Sequence, residues 1–114
     1  MRNANSAMDA KGNDLPTVST HVLDSARGRP AAGIRVKLFA PDGQPAGEAT
    51  TDSDGRIRRL LKGPLTAGDY RIEFDLDAKF FRRAALTFRV DDPTRSYHVP
   101  LLLAPYSISS YRGS

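Results

Sequence analysis

The chain has 114 residues, enough for one domain with a single modest hydrophobic core. It has no cysteine, which excludes disulfides, thiolate metal sites and a cysteine nucleophile. The net charge of +4 comes from 17 basic and 13 acidic residues spread along the chain, without the continuous basic block that nucleic-acid-binding arms usually have. The charge is better suited to solubility and to steering an anionic small molecule, and no nucleic-acid partner is predicted.

Residues 1–14 mix asparagine, serine, aspartate, lysine and glycine and contain no apolar stretch, so we predict a flexible N-terminal leader. The same composition cannot supply the apolar region of a signal peptide, and a cytoplasmic location is predicted. The longest apolar run, Leu101–Ala104, is far too short to span a bilayer, so no membrane partner is expected. Residues 15–114 then form the folded domain.

Beyond the leader, apolar and polar residues alternate in short segments, the pattern of half-buried β-strands. Glycine, proline and aspartate lie between the segments, as turns require. About eight short strands in about 100 residues predict an all-β sandwich of two sheets. No segment has sustained helical periodicity, and residues 78–84 could hold one helical turn at most. The predicted strands are Val18–Asp24, 34–38, 47–51, 56–61, 70–77, 86–90, 97–103 and 107–111.

The acidic turn at residues 52–55 invites a calcium interpretation, because paired aspartates before a glycine begin an EF-hand loop. The pattern then fails, since the third ligand position holds Arg56 and the last holds Gly63 instead of glutamate. The sequence predicts a plain turn between two strands and no metal site.

The only two histidines, His21 and His98, both lie in predicted strands. A lone histidine in a strand is more often a packed or surface residue than a catalyst. Alternation places His21 on the side of Ser19 and Leu23 and His98 on the side of Leu102, and both sides of each strand carry apolar groups. The pattern therefore assigns neither histidine to the core or to solvent, but it suggests that one side faces the core and the other a second subunit.

Residues 97–114 stay apolar and aromatic almost to the last residue, whereas chain ends are usually polar and poorly ordered. This composition predicts that the C-terminal end is docked against the domain. Arg56, at the start of a strand, cannot be distinguished by local pattern from the exposed arginine expected at position 58.

Three segments carry a resemblance to a known family. They are VSTHVLD at 18–24 followed by GRPA at 28–31, TDSDGR at 51–56, and HVPLLL at 98–103 with YRGS at 111–114. Together they resemble the signatures of the 5-hydroxyisourate hydrolases, transthyretin-like enzymes of urate breakdown, over residues 17–114. The resemblance implies a transthyretin-like sandwich of two four-stranded sheets. It also implies ring opening of 5-hydroxyisourate to 2-oxo-4-hydroxy-4-carboxy-5-ureidoimidazoline, with no cofactor.

By position, the resemblance implies that His21 and His98 are the catalytic histidines, without deciding which is the general base. It assigns Arg56 to substrate binding and residues 111–114 to the lining of the pocket. Within that tail, Tyr111, Arg112 and Gly113 are expected to bind substrate, and the hydroxyl or carboxylate of Ser114 to position water or His98. The family also implies a homotetramer with the sites where dimers meet.

Two features depart from the family pattern. Ser96 occupies a position that is often a third histidine in the family, and the segment after Leu76 is shorter than usual. Two other functions stay open on the sequence alone, because a fold does not specify an activity. One is a transthyretin-type carrier of a small ligand without catalysis, and the other is a sandwich that only binds partners.

Overall fold

A computed structural model of the chain describes residues 15–113. The predicted leader at 1–14 and the terminal Ser114 lie outside the described residues. Ten strands make up two sheets that pack face to face, and the prediction of an all-β transthyretin-like sandwich is confirmed. The strands are β1 (Val18–Asp24), β2 (Arg29–Pro30), β3 (Arg35–Phe39), β4 (Pro45–Thr50), β5 (Arg56–Ile57), β6 (Gly68–Asp75), β7 (Arg83–Val90), β8 (Tyr97–His98), β9 (Leu101–Ala104) and β10 (Ser107–Ser110).

One sheet is a four-stranded antiparallel sheet with the order β4-β3-β6-β7. Strand β6 is its most regular member, and Tyr70, Ile72 and Phe74 on its inner side are almost completely buried. The polar residues between them face outward, so the alternation that the sequence shows is the alternation of burial. This sheet supplies one wall of the core and leaves β7 as an edge strand.

The other sheet is built around β1, which pairs with different strands along its two halves. Its first half lies between the short strands β5 and β8, and its second half lies between β2 and β9. Strand β10 pairs with β9 and is the edge strand on that side of the sheet. Strands β5 and β2 therefore lie end to end on one side of β1, and β8 and β9 lie end to end on the other. With β1 and β10, the sheet is four strands wide.

The core lies between the two sheets. From the sheet around β1 it takes Val18, Val22 and Leu101, and each of them is no more than 1% exposed. Thr20 is equally buried, and its hydroxyl donates a 2.6 Å hydrogen bond to the Val99 carbonyl, which compensates for burying a polar group between apolar neighbours. The other side of β1 is thus the outer surface of this sheet.

Several predicted strand limits differ from the structure for physical reasons. The predicted strand 97–103 is split into β8 and β9 at Pro100, which has no N–H to donate to a strand ladder. The predicted strand 56–61 pairs only over Arg56–Ile57. The segment 27–30, predicted as a turn, also contains the two-residue strand β2. Residues 15–113 contain no helix, and hence none long and apolar enough to cross a membrane.

Candidate active site

Strand β1 brings the predicted site residues together because it pairs with β5 on one side and with β8 on the other. His21 lies directly opposite Arg56 in the antiparallel pair, and Ser19 lies opposite His98 in the parallel pair. Residues two apart on a strand share a face, so Ser19 and His21 point the same way. All four side chains consequently lie on the outer face of the sheet, and neighbouring strands are only about 4.8 Å apart.

The turn before β5 sets the position of Arg56. The Asp52 carboxylate accepts 2.9 Å hydrogen bonds from the backbone N–H groups of Asp54 and Arg56. Those bonds, that of Arg56 above all, lower the pKa of Asp52 below its usual value. Gly55 has a φ of 75°, and an added Cβ would overlap the Val22 carbonyl oxygen. The acidic pair thus organises a tight turn, as predicted.

His21 is held through one ring nitrogen. Its Nε2 lies 2.9 Å from the backbone carbonyl oxygen of Asp54, in the same turn that positions Arg56. A carbonyl oxygen can only accept a hydrogen bond, so Nε2 must carry a proton and donate it. In neutral His21 the lone pair then lies on Nδ1.

His98 is held through its other ring nitrogen. Its Nδ1 lies 2.8 Å from the Ser19 Oγ, and among residues 15–113 no group hydrogen-bonds to its Nε2. Partial burial, and after it the positive charges of Arg56 and His21, lower the pKa of His98 below 6.5. The imidazole is therefore neutral at pH 7 and has a lone pair available for a proton.

The C-terminal tail packs directly on His98. The Gly113 N–H donates a 2.8 Å hydrogen bond to the His98 carbonyl, and the two residues form an isolated antiparallel bridge. The Gly113 Cα lies so close to the imidazole that an added Cβ would overlap its Cδ2 atom and lie 3.1 Å from Cγ. Only glycine fits there without displacing the ring.

The neighbouring tail residues point elsewhere. The guanidinium carbon of Arg112 lies 5.0 Å from the centre of the Tyr97 ring. The Tyr97 hydroxyl donates a 2.8 Å hydrogen bond to Asp91, and this bond is the main reason why the pKa of Asp91 is lowered. Tyr111 is 58% exposed. Arg112 thus anchors the tail in this structure and does not enter the cleft beside Arg56.

Two of the predicted residues, Arg56 and His98, line a small open cleft of about 190 Å³. His21 lies opposite Arg56 on the same sheet face and Gly113 packs on His98, while Tyr111 and Arg112 line a neighbouring cavity that also borders His98. The terminal Ser114, predicted to be catalytic, lies outside the described residues. Within residues 15–113 no three histidine or acidic side chains are grouped as a metal site would require. The cleft is lined by Ser19, Thr20, Arg56, Ile57, Arg58 and His98.

Two groups at this site were not predicted from the sequence. Ser19 contacts His98 across a parallel pair that joins residues 79 positions apart, and no local pattern indicates that pairing. The Asp54 carbonyl is a backbone group, so residue type carries no signal for it. At the position where a third histidine is common in the family, the Ser96 hydroxyl accepts a 3.1 Å hydrogen bond from the Thr17 N–H.

Comparisons with known proteins identify the family to which the chain is similar. The profile of the HIUase/Transthyretin family matches residues 18–113. The chain is 43% identical over 115 residues to the 5-hydroxyisourate hydrolase of Deinococcus radiodurans, and the alignment covers 87% of this chain and 97% of the relative.

Two solved structures show the same architecture. The 5-hydroxyisourate hydrolase of Klebsiella pneumoniae superposes with a TM-score of 0.77 at 35% identity, over 86% of this chain and 99% of that one. Sea bream transthyretin in complex with thyroxine superposes with a TM-score of 0.73 at 28% identity, over 84% of this chain and 93% of that one. The fold is thus shared by a hydrolase and a hormone-binding protein, and the side chains of the cleft must distinguish the two functions.

Proposed function

The chain belongs to the HIUase/Transthyretin family, and from that membership and the chemistry of the cleft we propose that it hydrolyses 5-hydroxyisourate in urate breakdown. The observation that carries the proposal is the placement of His98 beside an arginine and a second histidine on one open sheet face, where burial and the neighbouring charges lower its pKa. A carrier would need no such acid–base pair. The transthyretin-type carrier is accordingly not favoured.

Hydrolysis of the ring needs three things from the protein. A water molecule must lose a proton as it attacks the ring carbonyl, the negative charge that develops on the oxygen must be stabilised, and the departing nitrogen must gain a proton. The carbon–nitrogen bond breaks, the carbon keeps the water oxygen as a carboxyl group, and the nitrogen leaves with a hydrogen. Water is consumed and no other reactant is required.

We assign the general base to His98. Its Nε2 is not hydrogen-bonded within the described residues, and its pKa is low enough for the neutral form to predominate at pH 7. The Nε2 of His21 is already committed as a donor to the Asp54 carbonyl, so that atom cannot accept a proton from water. His98 would take the proton from water and return it to the departing nitrogen, while His21 orients substrate.

Arg56 is assigned to substrate binding. It is half-buried and faces His21 across the antiparallel pair, so its guanidinium borders the cleft. A planar guanidinium can donate two parallel hydrogen bonds to neighbouring carbonyl oxygens, and the oxidised purine ring presents several of these. After burial, the same positive charge also lowers the pKa of His98, so Arg56 supports the base as well as the substrate.

We further propose that the chain forms a homotetramer in which dimers meet over this cleft. In the described part of the chain the cleft is open and Tyr111 is exposed, so a second chain can cover this face. A second chain covering this face would separate the ring and the attacking water molecule from bulk solvent. In the other sheet β7 is an edge strand, whose outer backbone groups can pair with a second chain. Four chains of 12.5 kDa would give a mass of about 50 kDa by light scattering, whereas a monomeric mass would refute the assembly.

The activity is tested by generating 5-hydroxyisourate from urate with a urate oxidase and following its absorbance after the oxidation is complete. The protein should accelerate the decay well beyond the spontaneous rate. The His98→Ala and His21→Ala variants should lower the rate by orders of magnitude without unfolding the protein. A wild-type protein that leaves the spontaneous decay unchanged would refute the proposed function.

A further inference from the structure

The Ser19 hydroxyl lies 2.8 Å from the Nδ1 of His98, and that contact carries a further inference about the same site. We propose that Ser19 is a positioning residue that accepts a hydrogen bond from Nδ1–H of His98 and thereby keeps the lone pair on Nε2, the atom that faces the reacting water. The proposal rests on the proposed function, because it specifies how the base assigned there is prepared.

The Ser19 hydroxyl can interact with the His98 Nδ1 in either direction. A serine hydroxyl can donate or accept, so the distance alone allows two tautomers of His98. If the hydroxyl donated to Nδ1, the ring proton would lie on Nε2 and the base would present a proton to water instead of a lone pair. If Nδ1–H donates to Oγ, Nε2 is free to accept. Only the second arrangement is compatible with His98 as the base.

The hydrogen bond from Nδ1–H to the Ser19 oxygen persists through the reaction. When Nε2 has taken a proton from water, both ring nitrogens carry protons and Nδ1–H must still have an acceptor. The Ser19 oxygen serves the neutral and the protonated ring equally, without a change of rotamer. Its own O–H remains able to donate into the cleft, which Ser19 lines together with Arg56.

Backbone pairing holds Ser19 and His98 in contact. Ser19 and His98 are directly opposed in the parallel pair of β1 and β8, and the Val99 N–H donates a 2.9 Å hydrogen bond to the Ser19 carbonyl. On the other side of His98, Gly113 packs against the imidazole. The ring is thus held between a hydroxyl and a backbone, both fixed by sheet pairing, as a preorganised base requires.

The two histidines are consequently predicted to be opposite tautomers. His21 has its proton on Nε2, because that atom donates to the Asp54 carbonyl, and His98 should have its proton on Nδ1. The charged groups that act on His98 are Arg56 from β5 and His21 from β1. Neither of them hydrogen-bonds to the His98 Nδ1, and among residues 15–113 the Ser19 hydroxyl is the group within hydrogen-bond distance of that atom.

The direct test is a nitrogen-15 NMR spectrum of the untagged protein, in which long-range couplings distinguish protonated from unprotonated ring nitrogens. The chain has 2 histidines, and His21→Gln assigns them. At a pH where both rings are neutral we expect one ring with a protonated Nε2 and one, His98, with a protonated Nδ1. A His98 ring with its proton on Nε2 would overturn the proposal, and this result does not depend on catalytic activity.

The kinetic test compares Ser19→Ala with Ser19→Thr. The alanine variant should lower kcat by about 10- to 100-fold, since a base displaced by about 1 Å loses about that much, and leave KM within about twofold. Without an acceptor for Nδ1–H the imidazolium is less stable, so the acid limb of the pH–rate profile should move to lower pH. Threonine keeps the hydroxyl and is well tolerated in β-strands. The Ser19→Thr variant should therefore recover most of the wild-type kcat, and the acid limb of its pH–rate profile should lie at the wild-type pH.

A matched control is Ser25→Ala, which removes a serine hydroxyl just beyond the end of the same strand, where it donates to the Leu103 carbonyl. Its kcat and pH profile should stay those of the wild type. A Ser19→Ala variant with the wild-type kcat and acid limb would overturn the positioning role, as would a threonine variant no faster than the alanine one. These outcomes presuppose an active wild type, so they are distinguishable from failure of the proposed function.

Discussion

Replacement of Gly113 by alanine tests whether the tail positions the base. An added Cβ would overlap Cδ2 of His98 and lie 3.1 Å from its Cγ and 3.2 Å from its Cβ. Non-bonded carbon atoms at their optimal separation are about 3.5–4.0 Å apart, so either the imidazole or the tail has to move. Both movements disturb the site, because the ring is also bound to Ser19 and the tail carries Tyr111 and Ser114.

The size of the effect follows from the two ways of relieving the overlap. Keeping the tail in place overpacks the site, which costs about 1–3 kcal/mol and displaces the ring. Lifting the tail instead loses the hydrogen bond from the Gly113 N–H, at about 1 kcal/mol, and the contact of Arg112 with Tyr97, at about 0.5–1 kcal/mol. The free energy of unfolding should therefore fall by only about 1–2 kcal/mol. A base misplaced by about 1 Å should lower kcat/KM by about 100-fold.

The assay follows the decay of 5-hydroxyisourate together with urea denaturation of each variant. Gly63→Ala is the matched control, because Gly63 has a φ of 87° and an added Cβ would have no neighbour within 4 Å. That substitution should cost about 1–2 kcal/mol through backbone strain alone and leave the rate unchanged. If Gly113→Ala retained the wild-type kcat/KM, the tail would not position His98, and the interpretation of the terminal tetrapeptide would be wrong.

The other predictions concern substrate binding, pH and the chain end. Arg56→Lys keeps the charge but loses the paired hydrogen bonds, so KM should rise with kcat/KM lower by about 10-fold or more; an unchanged KM would contradict the assignment. Because burial and the charges of Arg56 and His21 lower the pKa of His98 below 6.5, kcat/KM should stay high at pH 6.5 and fall only as the pH drops through that lower pKa. Arg56→Gln removes one of those charges and should move this acid limb to higher pH, and a limb that does not move would exclude Arg56 as a cause. Residues added after Ser114 should impair turnover, whereas a tag on Met1 should not, and equal rates for the two tagged proteins would remove the tail from the site.

Much of the fold was predictable because the sandwich has one solvent-facing side on each sheet. In β6 every second side chain is buried, and the sequence of that strand alternates accordingly. The short strands were less predictable, since β5 and β2 pair with β1 over only two residues each. Their lengths depend on the turns around them. The leader, the cytoplasmic location and the role of Ser114 stay predictions.

The site was only partly predictable from the residues themselves. The sequence alternation grouped His21 with Ser19, but it could not show that this side of β1 faces outward, because Leu23 and Leu102 share it. Nor could it bring His98 beside Ser19, since a parallel pairing over 79 positions leaves no local signal. The resemblance to the family indicated which residues belong to the site, and the strand pairing in the structure showed which of them are in contact.

The alternation of side chains explains why the terminal tetrapeptide needs its particular residues. The tail runs antiparallel to His98, so consecutive residues point to opposite sides of the sheet. Gly113 falls on the side of the imidazole, where no Cβ fits, and Arg112 falls on the side of Tyr97, where a flat cation packs on the ring. Since Tyr97 precedes His98 on the same strand, the contact of Arg112 with Tyr97 and the contact of Gly113 with His98 are coupled, and loosening either one should release the other.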